Sequence, residues 1–151
     1  LLEACRQSGK PIVASTGMST EAQIDGAVKA LGPDRLVLLH CTSTYPCPTE
    51  ELNLSTIGWL RDRFRVPIGY SGHHPGIWDG LCAAVLGACI VEKHFTLDRS
   101  SFGSDQSASL EPGGFARMTR YIRQWEAARG DGIKVVYDSE RSVMARLRRV
   151  M

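Results

Sequence analysis

No stretch of the sequence approaches the roughly 18 consecutive apolar residues that a bilayer-crossing helix needs. The first residues, LLEACRQSGK, also lack the design of a signal peptide. The chain therefore reads as neither membrane-spanning nor exported, with the cytoplasm as its expected compartment. There is no C-x-x-C pair, and the five cysteines (Cys5, Cys41, Cys47, Cys82, Cys89) are odd in number, which favours reduced, packed thiols over a disulfide framework. Net charge is small, 18 Lys and Arg against 16 Asp and Glu, so the sequence has no nucleic-acid footprint. Only Arg141 to Arg149 (RSVMARLRR) is locally basic, which suits a solvated or inter-domain face. Position 1 is not Met, and the final SERSVMARLRRVM shows a strand-like alternation of apolar residues that leads nowhere. A piece of a longer protein is expected.

What is present is a repeating grammar. With 151 residues and 43% hydrophobic content the chain can bury the core of one domain. Short apolar runs alternate with polar clusters and amphipathic segments. PIVAS (11–15) leads through Thr16-Gly17-Met18 into a helix from Ser19 or Thr20, ended by Gly32-Pro33. RLVLL (35–39) leads through His40-Cys41-Thr42-Ser43 and a proline-bearing loop into a helix over about 53–64. VPIGY (66–70) leads through Ser71-Gly72-His73-His74 into a small-residue helix over about 77–86. GACIVE (87–92) leads through Lys93-His94-Phe95 and a long loop into a helix over about 113–129. Strands alternating with helices, each strand a near-continuous apolar run, predict an α/β fold with a parallel sheet. Half of a (β/α)8 barrel and a small open doubly wound sheet both satisfy this pattern, and both place function at the carboxyl ends of the strands.

All four histidines fall at, or one step past, those ends. His73 and His94 are candidate metal ligands, because imidazoles from neighbouring strand ends can converge on one point. His40 is either a ligand or a partner for a backbone group, and His74, beside Pro75, reads as loop scaffold. Glu92 lies two residues before His94, on the same strand face, as a catalytic acid or as a buried acid paired with a lysine. Cys41 is a nucleophile or an ordinary packed thiol. Ser15-Thr16-Gly17, Thr42-Ser43-Thr44-Tyr45 and Ser71-Gly72 offer hydroxyls and backbone N–H groups suited to an anion such as phosphate, or end strands for conformational reasons alone.

The runs KPIVASTGMS (10–19), LLHCTSTYP (38–46), ELNL (51–54), PIGYSGHHPGI (67–77), EKHFTLD (92–98) and GSDQSASLEP (103–112) resemble the sialic acid synthase (N-acetylneuraminate synthase) family, whose members include the legionaminic and pseudaminic acid synthases. The resemblance runs from about residue 1 to residue 145. It implies a TIM barrel of the (β/α)8 type, of which this chain would supply strands five to eight as a half barrel over residues 1–135. Residues 136–151 would then begin a linker to an antifreeze-like domain. It implies a transferase that condenses phosphoenolpyruvate with N-acetylmannosamine or a related N-acetylated hexose, giving a nine-carbon 2-keto acid and phosphate, in a cytoplasmic homodimer. His73 and His94 match the histidines that hold a divalent ion, Mn²⁺ or Mg²⁺. Ser43, Tyr45 and Ser71 match phosphoenolpyruvate contacts, with Ser43 standing where the family often has Asn. Asp105 matches a residue near the metal and the sugar hydroxyls, and Glu92 an acid at the metal end of its strand. Two alternatives are another phosphoenolpyruvate aldol synthase and a truncated or spore-coat relative that binds without catalysing.

Overall fold

In the computed structural model, which describes residues 1–148, helix and strand alternate along the chain. A short helix α1 (Leu2–Gln7) precedes β1 (Ile12–Ser15), α2 (Glu21–Leu31), β2 (Leu36–Cys41), α3 (Thr56–Phe64) and β3 (Ile68–Gly72). Then follow α4 (Trp78–Val85), β4 (Val91–Lys93), α5 (Pro112–Ala128) and α6 (Asp138–Leu147). The four strands form one parallel sheet in the order β1-β2-β3-β4, each joined to the next by a helical crossover. Local chemistry sets the helix ends. At the start of α2, Thr20 accepts from the Gln23 amide while the Gln23 side chain accepts from the Thr20 amide, and Gly32 ends the helix at φ 77°.

Because side chains alternate across a strand, Leu36 and Leu38 of β2 share one face with Ile68 and Tyr70 of β3. They pack against Ile24 and Leu31 of α2, Ile57 and Leu60 of α3, and Ala83 of α4. Leu36, Leu38, Ile57, Leu60 and Ile68 are at most 3% exposed, so each contributes about 1.5–3 kcal/mol. An exposed ion pair such as Arg63–Asp25 is screened by solvent and adds little, so burial on this face carries the stability. The opposite face carries Val13, Ser15, Leu39, Cys41, Gly69, Ser71 and Glu92. The helices of the core cover only the first face, and Val13 on the second is 53% exposed. A doubly wound sheet carries helices on both faces; one-sided cover makes this a half-barrel, and the uncovered face is its concave interior. Leu39 fills that interior over Gly69, where an added Cβ would press on Leu39 and come within 2.8 Å of the Ile90 carbonyl.

Four features differ from the sequence-based expectation. The stretch 139–151, expected to alternate as a strand, is helical as far as Leu147, within α6; the apolar residues Val143, Met144 and Leu147 are exposed, and the helix formers among them outweigh an alternation with no sheet to join. The last three residues of that stretch, 149–151, lie outside the described residues. The fourth strand begins at Val91 and not at 87, because Gly87, at φ 100°, and Ala88, bonded back to Ala83, are spent in turning the chain out of α4. Cys89 is exposed where packed thiols were expected. Helix α1 had no strong pattern to announce it. Among the described residues, no helix is long and apolar enough to cross a membrane.

Candidate active site

The register aligns Cys41 with Ser71 and Ser71 with Glu92, so the connections leaving β2, β3 and β4 open side by side. His73 follows β3 directly and is 4% exposed. Its Nδ1–H donates to the Thr42 carbonyl at 2.8 Å, and its own carbonyl accepts from the Cys47 amide at 3.0 Å. Holding the proton on Nδ1 leaves Nε2 with a free lone pair, the tautomer of a metal-ligating imidazole whose other nitrogen is anchored to backbone. The His94 ring lies 5.1 Å from the His73 ring, centre to centre. Tyr45, from the connection after β2, sits against both, 4.1 Å from His73 and 5.5 Å from His94. Partial burial, together with nearby Cys41, Asp105 and Glu92, raises the Tyr45 phenol above its ordinary pKa, outweighing the opposite effect of Ser43, so it stays a neutral donor.

The loop carrying Asp105 is closed at its base. The Leu110 amide donates to the His94 carbonyl at 2.8 Å and the Thr96 amide to the Leu110 carbonyl at 3.0 Å. The excursion between Thr96 and Leu110 is thereby folded back on its origin, placing Asp105 Oδ2 3.8 Å from His94 Nδ1. That is ion-pair range and too long for a hydrogen bond. Glu92 accepts from the Ser71 hydroxyl at 2.7 Å on the concave face, so it is not the buried acid paired with a lysine. A buried acid–lysine pair does exist on the other face, between Asp79 and Lys93. Ser43 lies 3.5 Å from Cys41 Sγ and against Gly17, which brings the ends of β1 and β2 together. An open hollow of about 430 Å³ there is lined by Thr16, Ser19, Thr42, Ser43 and Thr44. A larger one of about 520 Å³, between α4 and α5, lies on the helical side; of its charged residues Arg123, Glu126 and Arg129, the first two pair with each other at 2.7 Å.

Among the described residues, no group of three or more His, Cys, Asp or Glu side chains is disposed to hold a metal ion. His73 and His94 nonetheless fit a divalent ion as two of its ligands, both neutral and on one side, with positions left for substrate. Cys41 Sγ lies 3.8 Å from His73 Nδ1, the nitrogen already bonded to Thr42, so it packs beside the imidazole.

The other two histidines serve the fold. His40 sits within β2 and not past its end, turned to the helical face, where its Nε2–H donates to the Leu52 carbonyl at 2.7 Å. Burial lowers its pKa below the ordinary value, against a smaller opposing effect of that hydrogen bond. A depressed histidine pKa means that the unfolded chain takes up the proton first. Its stability contribution is therefore complete above about pH 6.5 and is lost as pH falls from there toward the folded-state value. Melting temperature should drop over that window, with a shallower drop in His40→Gln; an unchanged slope in the variant would contradict this account. His74 accepts from the Gly76 amide at 2.9 Å and meets Trp78 edge-on, which shapes the loop. Sequence reasoning passed over Lys93 and Asp79. Lys93 stands between Glu92 and His94, and strand alternation alone would have sent its side chain into the core, where a lysine demands a partner.

Comparison with known proteins agrees with this arrangement. The chain is 44% identical over 144 residues to the N,N'-diacetyllegionaminic acid synthase of Campylobacter jejuni, covering 92% of this chain and 43% of that protein. It is 43% identical over 143 residues to the human N-acetylneuraminate-9-phosphate synthase, covering 92% and 40%. The crystal structure of the N-acetylneuraminic acid (sialic acid) synthetase of Leptospira borgpetersenii in complex with citrate superposes with a TM-score of 0.84 at 35% identity, covering 99% of this chain and 54% of that one. The chain thus spans less than half the length of these two curated relatives. Since the NeuB family model matches residues 1–134, which take in every strand and the whole strand-end cluster, the chain belongs to the NeuB family of sialic-acid-type synthases.

Proposed function

We propose that this chain supplies strands five to eight of a TIM barrel and one side of the active site of a cytoplasmic, homodimeric transferase. The enzyme condenses phosphoenolpyruvate with N-acetylmannosamine or a related N-acetylated hexose. Residues 1–135 form the half-barrel and residues 136–151 begin a linker to an antifreeze-like domain. The observation that carries the reading is the meeting of His73, His94 and Tyr45 at adjacent strand ends, with Asp105 folded back over His94, in a member of this family.

The net reaction forms a bond between the enol carbon of phosphoenolpyruvate and the aldehyde carbon of the open-chain sugar, consumes one water and releases phosphate. His73 and His94 would hold a divalent ion, Mn²⁺ or Mg²⁺, which when bound would supply Lewis-acid polarisation of the aldehyde. Neutral imidazoles suit this task because they leave the ion its positive charge. The hydroxyls of Ser43 and Tyr45 donate to the carboxylate and phosphate of phosphoenolpyruvate, and the Ser71 hydroxyl, which donates to Glu92 in the free protein, joins them by turning from Glu92 to the substrate. Asp105 accepts hydrogen bonds from sugar hydroxyls and takes a proton from the water that is consumed, while the aldehyde oxygen gains one to become a hydroxyl. The test is phosphate release by the full-length protein with a panel of N-acetylated hexoses. Release that requires both substrates is the expected result. Release from phosphoenolpyruvate alone, or none with any sugar of the panel, would contradict the reading.

A further inference from the structure

Behind the strand ends, on the helical side, lies a charged network that the reaction does not use. Lys93 Nζ donates to Asp79 Oδ2 at 2.8 Å and to the His74 carbonyl at 2.7 Å, and the Tyr70 hydroxyl donates to the same carboxylate oxygen at 3.0 Å. Both charged side chains are 0% exposed, and among the described residues Asp79 Oδ1 has no hydrogen-bond partner. The space for the carboxylate is made by a glycine: a Cβ at Gly72 would stand 2.8 Å from Asp79 Oδ2 and press on the Tyr70 ring. Burying such a pair is seldom the most stable choice, since apolar residues of similar volume do as well or better. Its geometry points to positional work instead.

We infer that Lys93 is a positioning residue: anchored by Asp79 and Tyr70, it grips the chain at the His74 carbonyl and so fixes His73 and His94 relative to each other. The connectivity is short. Lys93 immediately precedes His94, so pinning its side chain to the helical face turns His94 toward the concave one. The carbonyl it holds belongs to the residue after His73, whose own carbonyl is held by the Cys47 amide. One buried ammonium therefore joins the backbones that carry both imidazoles. Without it the loop after β3 loses its tie to β4 and keeps only its bonds to the connection after β2. Partners one step removed from a ligand set its orientation, and their loss typically weakens metal binding by about 10–100-fold.

This inference rests on the proposed ligand role of His73 and His94, and its test separates the two. In the full-length protein, Lys93→Met and the double variant Lys93→Met/Asp79→Leu are compared with wild type. The second removes the charge pair together, so a folded protein remains even where the single change strands a buried carboxylate. Long-range ¹H–¹⁵N spectra of the histidine rings, without metal, report the Nδ1–H tautomer of His73; Mn²⁺ titration reports affinity; a thermal melt reports stability. The expected result is a folded double variant with a shifted or mixed His73 ring signature and Mn²⁺ binding weakened about tenfold or more. Wild-type ring signals in that variant would overturn the inference and leave Lys93 a stabilising residue only, whatever the melt shows. If wild type itself does not bind Mn²⁺, the metal reading fails, and the ring spectra alone decide the positioning role.

Discussion

His73→Ala and His94→Ala are each expected to lower phosphate release by roughly 10³-fold or more. Metal assistance supplies several kcal/mol, and each 1.4 kcal/mol is a factor of ten. Either change removes one of only two imidazoles that face each other at the strand ends. The folded state should survive both. His94 is partly exposed, and His73, though buried, makes its side-chain bond to the loop carbonyl of Thr42 and belongs to none of the core layers. His74→Ala is the internal control, because its ring bonds only within its own loop and to Thr49; losing such bonds costs about 1 kcal/mol of folding free energy each and no contact with substrate. Turnover measured beside a thermal melt separates these cases. Near-normal turnover in either of the first two variants would remove that residue from the site.

Asp105→Asn should reduce kcat by roughly 10²-fold, the scale of a lost general acid–base or electrostatic contact. Among the described residues the Asp105 side chain accepts a hydrogen bond only from the neighbouring Ser104 hydroxyl, and the half-exposed carboxylate stands 3.8 Å from His94 Nδ1. Its side chain therefore carries little folding energy, and the melting temperature should stay close to wild type. In the proposed site phosphoenolpyruvate contacts Ser71 of β3 and Ser43 and Tyr45 of the connection after β2, and not Asp105, so its KM should barely move. Asn keeps the shape and one acceptor oxygen while giving up the charge. A folded variant with wild-type kcat would reduce Asp105 to a turn residue, and a collapse in stability would make its role structural.

The strand ends are legible in the sequence because doubly buried runs such as RLVLL and VPIGY stop at polar clusters, and alternation then puts Ser71, His73, Glu92 and His94 on one face. The structure keeps that face and that grouping. Covering on one side only is not legible: the apolar interior of a barrel and the second helical layer of an open sheet demand the same residues on the strands. His40 shows the limit of counting histidines. It obeys the same strand-end pattern as His73, yet one position of register turns it to the opposite face and onto the Leu52 carbonyl. Lys93 and Asp79 escape for a related reason. Fourteen residues separate them, and only the packing of α4 against β4 brings the carboxylate over Gly72 to the ammonium. The stretch from Ser139 to Leu147, read as strand-like and found in α6, is the clearest misreading, since amphipathic alternation over a few positions fits a strand or a helix until a neighbouring strand is present or absent.

In the proposed site two neutral imidazoles would hold one divalent ion at the carboxyl ends of β3 and β4. An anomalous difference map from crystals of the full-length protein grown with Mn²⁺ tests this most directly. The predicted result is a single strong peak between the rings, within bonding distance of Nε2 of both His73 and His94, with His73 Nδ1 still on the Thr42 carbonyl. A peak elsewhere, or none at that point while both Nε2 atoms hydrogen-bond to protein groups, would contradict the account.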